Sequence, residues 1–225
     1  MTETSTNPTD EIGILLTNPR AYLVFRQAFM VGRGSALNRR LTALSGVGPG
    51  DRVADIGCGP GDLLRNLAER AGVTGTATGI DPSPEMLRYA REHSAHLPRC
   101  AFELAPAQQL PLADASVDVL TCTFVMHHIP QARRPDAFAE MFRVLRPGGR
   151  LLLADTHPHG RIVSTLIRAM SRSAARQTDD HAAHTDPLAA IDIRRYRDLL
   201  RTTGFHDVEF STARPVTGVL RATKP

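Results

Sequence analysis

The stretch Val53-Ala54-Asp55-Ile56-Gly57-Cys58-Gly59-Pro60-Gly61 constrains this chain more than any other. Four residues that read as a buried strand run into a turn with glycine at every second position, and the helix-forming Asp62-Leu63-Leu64-Arg65 comes next. Glycine is needed where the backbone takes positive φ or where a ligand presses against bare main chain. A strand, a glycine turn and a helix start together build a nucleotide-binding corner. A purely structural strand-to-helix turn needs glycine too, so residues further along the chain decide the meaning of the pattern. The dinucleotide fingerprint has a third glycine or alanine at position 62, and Asp62 stands there instead.

The spacing of apolar residues arranges one domain around that corner. With 225 residues the chain can bury the core of a single α/β domain and is short for two. Residues 1–11 are polar and are expected to form a disordered tail, with neither the basic segment nor the apolar run of a signal peptide. The single domain is expected over 12–225. Residues 12–45 form a helical preface, with helices at 19–30 and 35–44 parted by Gly32-Arg33-Gly34. Over 46–155 strands at 52–56, 76–80, 100–104, 117–124 and 150–154 alternate with helices at 62–71, 85–93 and 134–145. Ser83 is placed to cap the second of these helices, with Pro84 at its first position. Pro147-Gly148-Gly149 stops the third. Such alternation means a doubly wound, mostly parallel sheet. Residues 156–190 break the rhythm with one helical stretch, 161–176, and a polar run; they are expected to form a lid insertion. A helix at 191–202 and strands at 207–212 and 215–223 close the chain, giving seven strands.

Composition narrows the function. No apolar run approaches the roughly 18 to 20 residues of a membrane helix. Cys58, Cys100 and Cys122 have no paired spacing, which suits free thiols in a reducing compartment and makes the cytoplasm the expected location. The formal charge of +4 invites a nucleic-acid reading. Against it, the basic residues are almost all arginine, with Lys224 the only lysine, and they are scattered along the chain. A nucleic-acid footprint is clustered, so neither nucleic acid nor a membrane span is expected.

Asp81 ends the second strand, 24 residues after Gly57. Ligands of a doubly wound sheet lie across the carboxyl ends of adjacent strands, where a carboxylate can accept hydrogen bonds from both ribose hydroxyls. The plain alternative is an Asp that caps a turn before Pro82. Two more motifs come in order: Gln108-Gln109-Leu110-Pro111-Leu112-Ala113-Asp114-Ala115-Ser116-Val117-Asp118-Val119, then Leu145-Arg146-Pro147-Gly148-Gly149-Arg150-Leu151-Leu152-Leu153-Ala154-Asp155. With these four elements the chain resembles the class I S-adenosylmethionine-dependent methyltransferases. The small-molecule branch that includes the ubiquinone and menaquinone C-methyltransferases is the nearest in pattern. The resemblance runs over 47–155 and returns weakly at Gly204-Phe205 and the last strand. It implies a Rossmann-like, seven-stranded sheet with the last strand antiparallel, S-adenosylmethionine as cofactor, and methyl transfer to a small-molecule acceptor by in-line displacement.

Carried over residue by residue, the resemblance gives Gly57, Cys58 and Gly59 the methionine part of the cofactor and Asp81 the ribose diol. Pro82 and Met86 lie beside the adenine, and Pro106, Ala107 and Gln108 meet its edge, with the Ala107 N–H as donor. The family often has an acidic residue where Pro106 stands, so adenine recognition here rests more on backbone atoms or on Gln108. Thr123 and Phe124 line the path from cofactor to acceptor. A carboxylate at the end of a buried strand is costly without donors. Asp55 therefore either braces the glycine loop or meets the cofactor's ammonium group. Tyr22, Arg26, Arg33 and Arg39 are equal candidates to cover the cofactor or meet its carboxylate.

The acceptor side rests on histidines. Alignment alone can contribute about 7 to 11 kcal/mol to such a displacement, and a base is needed only if the acceptor must lose a proton. His127 and His128 come after Phe124, and the family repeats this pair, sometimes without a catalytic role. His128 is the first candidate for a general base, against packing or capping; His127, His157 and Asp155 are the others. His157, His159, His181 and His184 fall in or beside the lid with Asp179 and Asp180, at spacings that suggest a metal. No cysteine joins them and displacement at a methyl needs no Lewis acid, so no metal is expected. Two other readings stand: an S-adenosylmethionine-binding relative that cyclises, rearranges or decarboxylates its substrate, and a non-catalytic binding protein. The intact glycine loop and Asp81 argue against the last. Monomer and homodimer stand open alike.

Overall fold

The computed structural model describes residues 16–30, 32–157, 192–213 and 217–225. Two helices, α1 (Pro19–Phe29) and α2 (Gly34–Ser45), precede β1 (Arg52–Ile56). The chain continues through α3 (Asp62–Ala71), β2 (Thr76–Asp81), α4 (Pro84–His93), β3 (Cys100–Leu104), β4 (Val117–Thr123), α5 (Arg134–Val144) and β5 (Leu145–Thr156). Of the lid expected over 156–190, residues 158–190 with His159, His181 and His184 lie outside the described residues, as does the tail expected over 1–11, while Thr156 ends β5. A 3-10 turn, Ile193–Tyr196, then leads into α6 (Arg197–Thr203), β6 (His206–Ala213) and β7 (Thr217–Thr223).

The helices begin where local chemistry satisfies their first amides. Asn18 accepts from the Ala21 amide at 3.0 Å, with Pro19 next in line, and so starts α1. Ser83 accepts from the Met86 amide at 3.3 Å, with Pro84 in the first turn of α4, as its sequence indicates.

The seven strands form one sheet in the order β3-β2-β1-β4-β5-β7-β6. β1 to β5 pair in parallel, and β7 runs antiparallel to both β5 and β6. The doubly wound sheet with an antiparallel last strand is thus what the chain forms. Period-two alternation sends neighbouring residues to opposite faces: Ala54, Leu120 and Leu151 pack with α5 and α6 around Phe138, Met141 and Leu200. Val53, Val119 and Leu152 pack with α2, α3 and α4 around Leu41, Leu64 and Leu87. Full burial of such a side chain contributes about 1.5 to 3 kcal/mol. The strand order reverses between β1 and β4, which opens a crevice at their carboxyl ends.

Two boundaries differ from the sequence reading. β5 starts at Leu145, not Arg150, because Leu145 is already extended (φ −68°, ψ 135°) and the end of the chain pairs alongside. The Gly148 amide donates to Lys224 O at 2.8 Å and the Lys224 amide to Gly149 O at 3.0 Å, so a stretch that reads locally as a turn, and keeps Gly148 at a positive φ of 73°, is tied in by a distant partner. The closing helix is divided: Asp192 accepts from the Arg194 amide and caps the 3-10 turn before α6 begins. Among the described residues no helix is long and apolar enough to cross a membrane.

Candidate active site

β1 brings Asp55 and Ile56 to the carboxyl edge, and the chain then turns through the glycine loop. Gly57, Gly59 and Gly61 all have positive φ, at 67°, 52° and 79°, which alternating glycine accommodates. The Gly57 and Cys58 amides both donate to Ile80 O, at 2.7 and 3.1 Å, and so fasten the loop to the end of β2. A Cβ on Gly57 would lie 2.1 Å from Val125 Cγ2, whereas among the described residues nothing lies within 4 Å of one on Gly59. Gly57 therefore lets the segment after β4 close down on the loop, and Gly59 offers bare backbone to open space.

Two buried carboxylates flank this loop. Asp81 accepts from the Gly59 amide at 2.8 Å and, through its other oxygen, from the Ser83 amide at 2.9 Å. Burial raises its pKa, and these two hydrogen bonds work against the rise. Asp55, only 1% exposed, accepts from the Thr121 hydroxyl at 2.6 Å. Burial pushes it up to about 7. The bracing of the glycine loop thus falls to Asp81, while Asp55 is tied to the neighbouring strand.

A cavity runs along the edge, and its walls bring together Gly57, Gly59, Asp81, Pro82, Met86, Pro106, Ala107, Gln108, Thr123 and Phe124. Asp55 and Cys58 line a smaller adjoining cavity with Gly57, Thr123 and Phe124. Phe124 borders both and holds φ at 58°. A bulky residue in that region costs about 1 to 2 kcal/mol and marks a local constraint. Its amide donates to Ala154 O at 2.8 Å, which holds the turn.

The structure separates the four candidates near the start of the chain. Tyr22, Arg26 and Met30, at four-residue intervals on one face of α1, line the smaller cavity. Tyr22 also borders the larger one, and burial raises its pKa. Arg26 pairs with Asp62 at 2.9 Å, and Asp62 also pairs with Arg65. The residue that replaces the dinucleotide glycine thus anchors α1 over the site. Arg33 is exposed, and Arg39 borders a groove with Arg70 on the outer side of the Arg26–Asp62 pair, which also lines it, and neither lines the cavities at the glycine loop.

Beyond Phe124 opens a second chamber of about 630 Å³, lined among the described residues by Leu16, Thr17, Asn18, Ala21, Tyr22, Arg26, Met30, Phe124, His127, His128 and Thr156. His127 donates from Nδ1 to Asp155 at 2.8 Å, and Asp155, 4% exposed, also accepts from the Thr156 amide at 2.7 Å. The rings of His127 and His128 lie 4.0 Å apart. His128 has a buried Nδ1 with no partner among the described residues, and burial, then the neighbouring His127, lowers its pKa to about 4. An NMR titration should therefore find the His128 imidazole still neutral at pH 5.5; a midpoint above 6 would contradict this environment. His157 donates to Asp192 at 3.1 Å, stands edge-on to Phe210, and lines neither cavity. Sequence reasoning did not single out Leu16, Val125, Ile129 or Thr156, which also border the site. For Val125 a signal existed, since a glycine at 57 implies that something presses close to it.

Residues 53–149 match the family described as a methyltransferase domain. The chain is 39% identical over 115 residues to the ubiquinone/menaquinone biosynthesis C-methyltransferase UbiE of Ectopseudomonas mendocina, over 50% of this chain and 44% of that protein. It is 34% identical over 173 residues to the methyltransferase GfsG of Streptomyces halstedii, over 76% of this chain and 61% of that protein. The chain thus spans about half the length of the curated relatives it matches. A solved SAM-dependent methyltransferase from Aquifex aeolicus shares the fold, with a TM-score of 0.64 at 19% identity over 97% of this chain and 94% of that one.

Proposed function

We propose that the chain is a class I S-adenosylmethionine-dependent methyltransferase that methylates a small-molecule acceptor, a reading supported by the methyltransferase-domain match over residues 53–149 and the similarity to UbiE. The observation that carries this reading is the single cavity joining the glycine loop, Asp81 and the Pro106-Ala107-Gln108 segment. Its residues fit the cofactor: bare backbone at Gly59 for the methionine part, a buried carboxylate at Asp81 for a diol, and Pro82 and Met86 as apolar walls for a purine. When bound, S-adenosylmethionine supplies a methyl group on a sulfonium sulfur, which leaves as a neutral thioether. Phe124 and Tyr22 border both the cofactor cavity and the acceptor chamber and so form the wall between donor and acceptor, while Thr123 lines the cofactor side. The test is incubation with methyl-labelled cofactor and a small-metabolite extract. Label in a product together with S-adenosylhomocysteine supports the reading; binding without transfer overturns it.

Asp55 gives the donor site a pH dependence. With its pKa raised to about 7, Asp55 reaches the charged form that an ammonium group prefers only near neutrality. Below that pH, binding must first expel a proton. Affinity for S-adenosylhomocysteine should rise by up to about tenfold per pH unit between roughly pH 5 and 7 and then level off. Asp81, also raised by burial, acts with the same sign, so Asp55→Asn isolates the Asp55 part and should flatten the profile. Calorimetry across pH checks this; a profile in the parent protein no steeper than in Asp55→Asn would confine Asp55 to its bond with Thr121.

A further inference from the structure

We propose that Glu140 and Arg143, which line neither cavity of the donor site, position its adenine edge and so set how well the protein tells adenine from other purines. This rests on the proposed donor site and concerns what holds one wall of it.

That wall is a single turn. The Gln109 amide donates to Pro106 O at 3.2 Å, which makes Pro106-Ala107-Gln108-Gln109 a β-turn with Ala107 and Gln108 at its centre. Such a turn bonds the amide of its fourth residue and leaves that of its second unused. The second residue here is Ala107, 6% exposed and part of the cavity wall. Among the described residues nothing accepts from its amide. A backbone N–H in a buried residue needs an acceptor, and a purine ring nitrogen in the cavity would supply one.

A backbone donor discriminates only while it stays in place, and this turn lies in the long loop between β3 and β4. Upstream, the Ala105 amide donates to Asp81 O at 3.3 Å. Downstream, α5 supplies a clamp. Glu140 and Arg143 lie three residues apart on one face of α5. Arg143 Nε donates to Glu140 Oε1 at 2.7 Å, and Nη2 donates to Oε2 at 2.8 Å. Glu140 Oε2 also accepts from the Leu110 amide at 2.7 Å. Arg143 donates further to Leu110 O at 3.1 Å, Leu112 O at 2.8 Å and Asp114 at 2.6 Å. The pair thus grips both backbone groups of Leu110, two residues after Gln108. Ala107 and Leu110 pack in one core with Phe138 and Met141 of α5, so the same helix holds the apolar side of the loop. Arg143 keeps the Glu140 carboxyl below the usual carboxylate range, and the clamp is charged at neutral pH. Its grip needs the planar fork of a guanidinium, which serves a carboxylate and two carbonyls at once; an ammonium cannot.

The experiment titrates the full chain calorimetrically with S-adenosylhomocysteine and with S-inosylhomocysteine, whose 6-oxo purine carries N–H where adenine has a ring-nitrogen acceptor. The parent should bind the adenine compound about tenfold more tightly, because the exchange sets two donors against each other. Arg143→Lys should weaken S-adenosylhomocysteine about tenfold and barely change S-inosylhomocysteine, so the preference for adenine shrinks. Glu140→Gln keeps an acceptor for the Leu110 amide and should lose only part of the preference, whereas Glu140→Ala should match Arg143→Lys. Combining Glu140→Ala with Arg143→Lys should add little, since the two act as one unit. If Arg143→Lys does not fold, the two Glu140 variants carry the test. A merely structural clamp would lower the melting temperature and leave the preference intact. Variants that bind both compounds in the parent ratio therefore overturn the inference, as does a parent that binds both alike. A parent that binds neither compound would instead sink the donor reading.

Discussion

Alanine at Gly57 is expected to abolish cofactor binding and to lower stability by about 2 to 5 kcal/mol. The range combines a left-handed backbone, about 1 to 2 kcal/mol, with overpacking, about 1 to 3 kcal/mol. The new methyl would stand 2.1 Å from Val125 Cγ2, and Val125 cannot withdraw without pulling on Phe124, whose strained turn walls both cavities. Gly59→Ala provides the contrast. It shares positive φ but meets no described atom within 4 Å, so it should cost only the backbone part of the stability while placing a methyl where the cofactor is proposed to lie. Adding Val125→Ala to Gly57→Ala should recover some of the lost stability, since the two residues are in contact. Thermal unfolding and calorimetry check both effects. A Gly57→Ala variant that melts like the parent and still binds would show that the loop is not packed as described.

Asp81→Ala should weaken the cofactor by more than about tenfold, roughly 1.4 kcal/mol. The carboxylate has two jobs here. It holds the Gly59 amide, and it is proposed to accept from a ribose diol, so alanine loses both the ligand's hydrogen bonds and the brace on the loop. A 2′-deoxy analogue of S-adenosylhomocysteine separates the two. In the parent protein the missing hydroxyl should weaken binding, and in Asp81→Ala it should make little further difference, because the partner is already gone. Equal penalties in both proteins would restrict Asp81 to bracing the loop.

Where short-range chemistry decides the structure, the sequence was legible. The alternating glycines, the Ser83-Pro84 helix start and the strand-helix alternation each carry their reason within a few residues, and Asp81 stands out by its place at a strand end. What the sequence left open depends on distant partners. Pro147-Gly148-Gly149 reads as a break until Lys224 pairs beside it. Two adjacent histidines in an aperiodic turn look alike until Asp155, 28 residues on, selects His127 and leaves His128 in the wall. His157 resembles an active-site histidine by position but is taken up by Asp192. The choice of Tyr22 and Arg26 over Arg33 and Arg39 was latent in the four-residue spacing of α1; it needed the Arg26–Asp62 pair to show where that face lies.

The most direct test of the donor site is calorimetric titration of the protein with S-adenosylhomocysteine, with NAD as the competing nucleotide. The glycine loop with Asp62 in place of the third glycine, joined to Asp81, predicts saturable one-to-one binding of S-adenosylhomocysteine that NAD does not displace. Absence of binding, or displacement by NAD at comparable concentration, would contradict it.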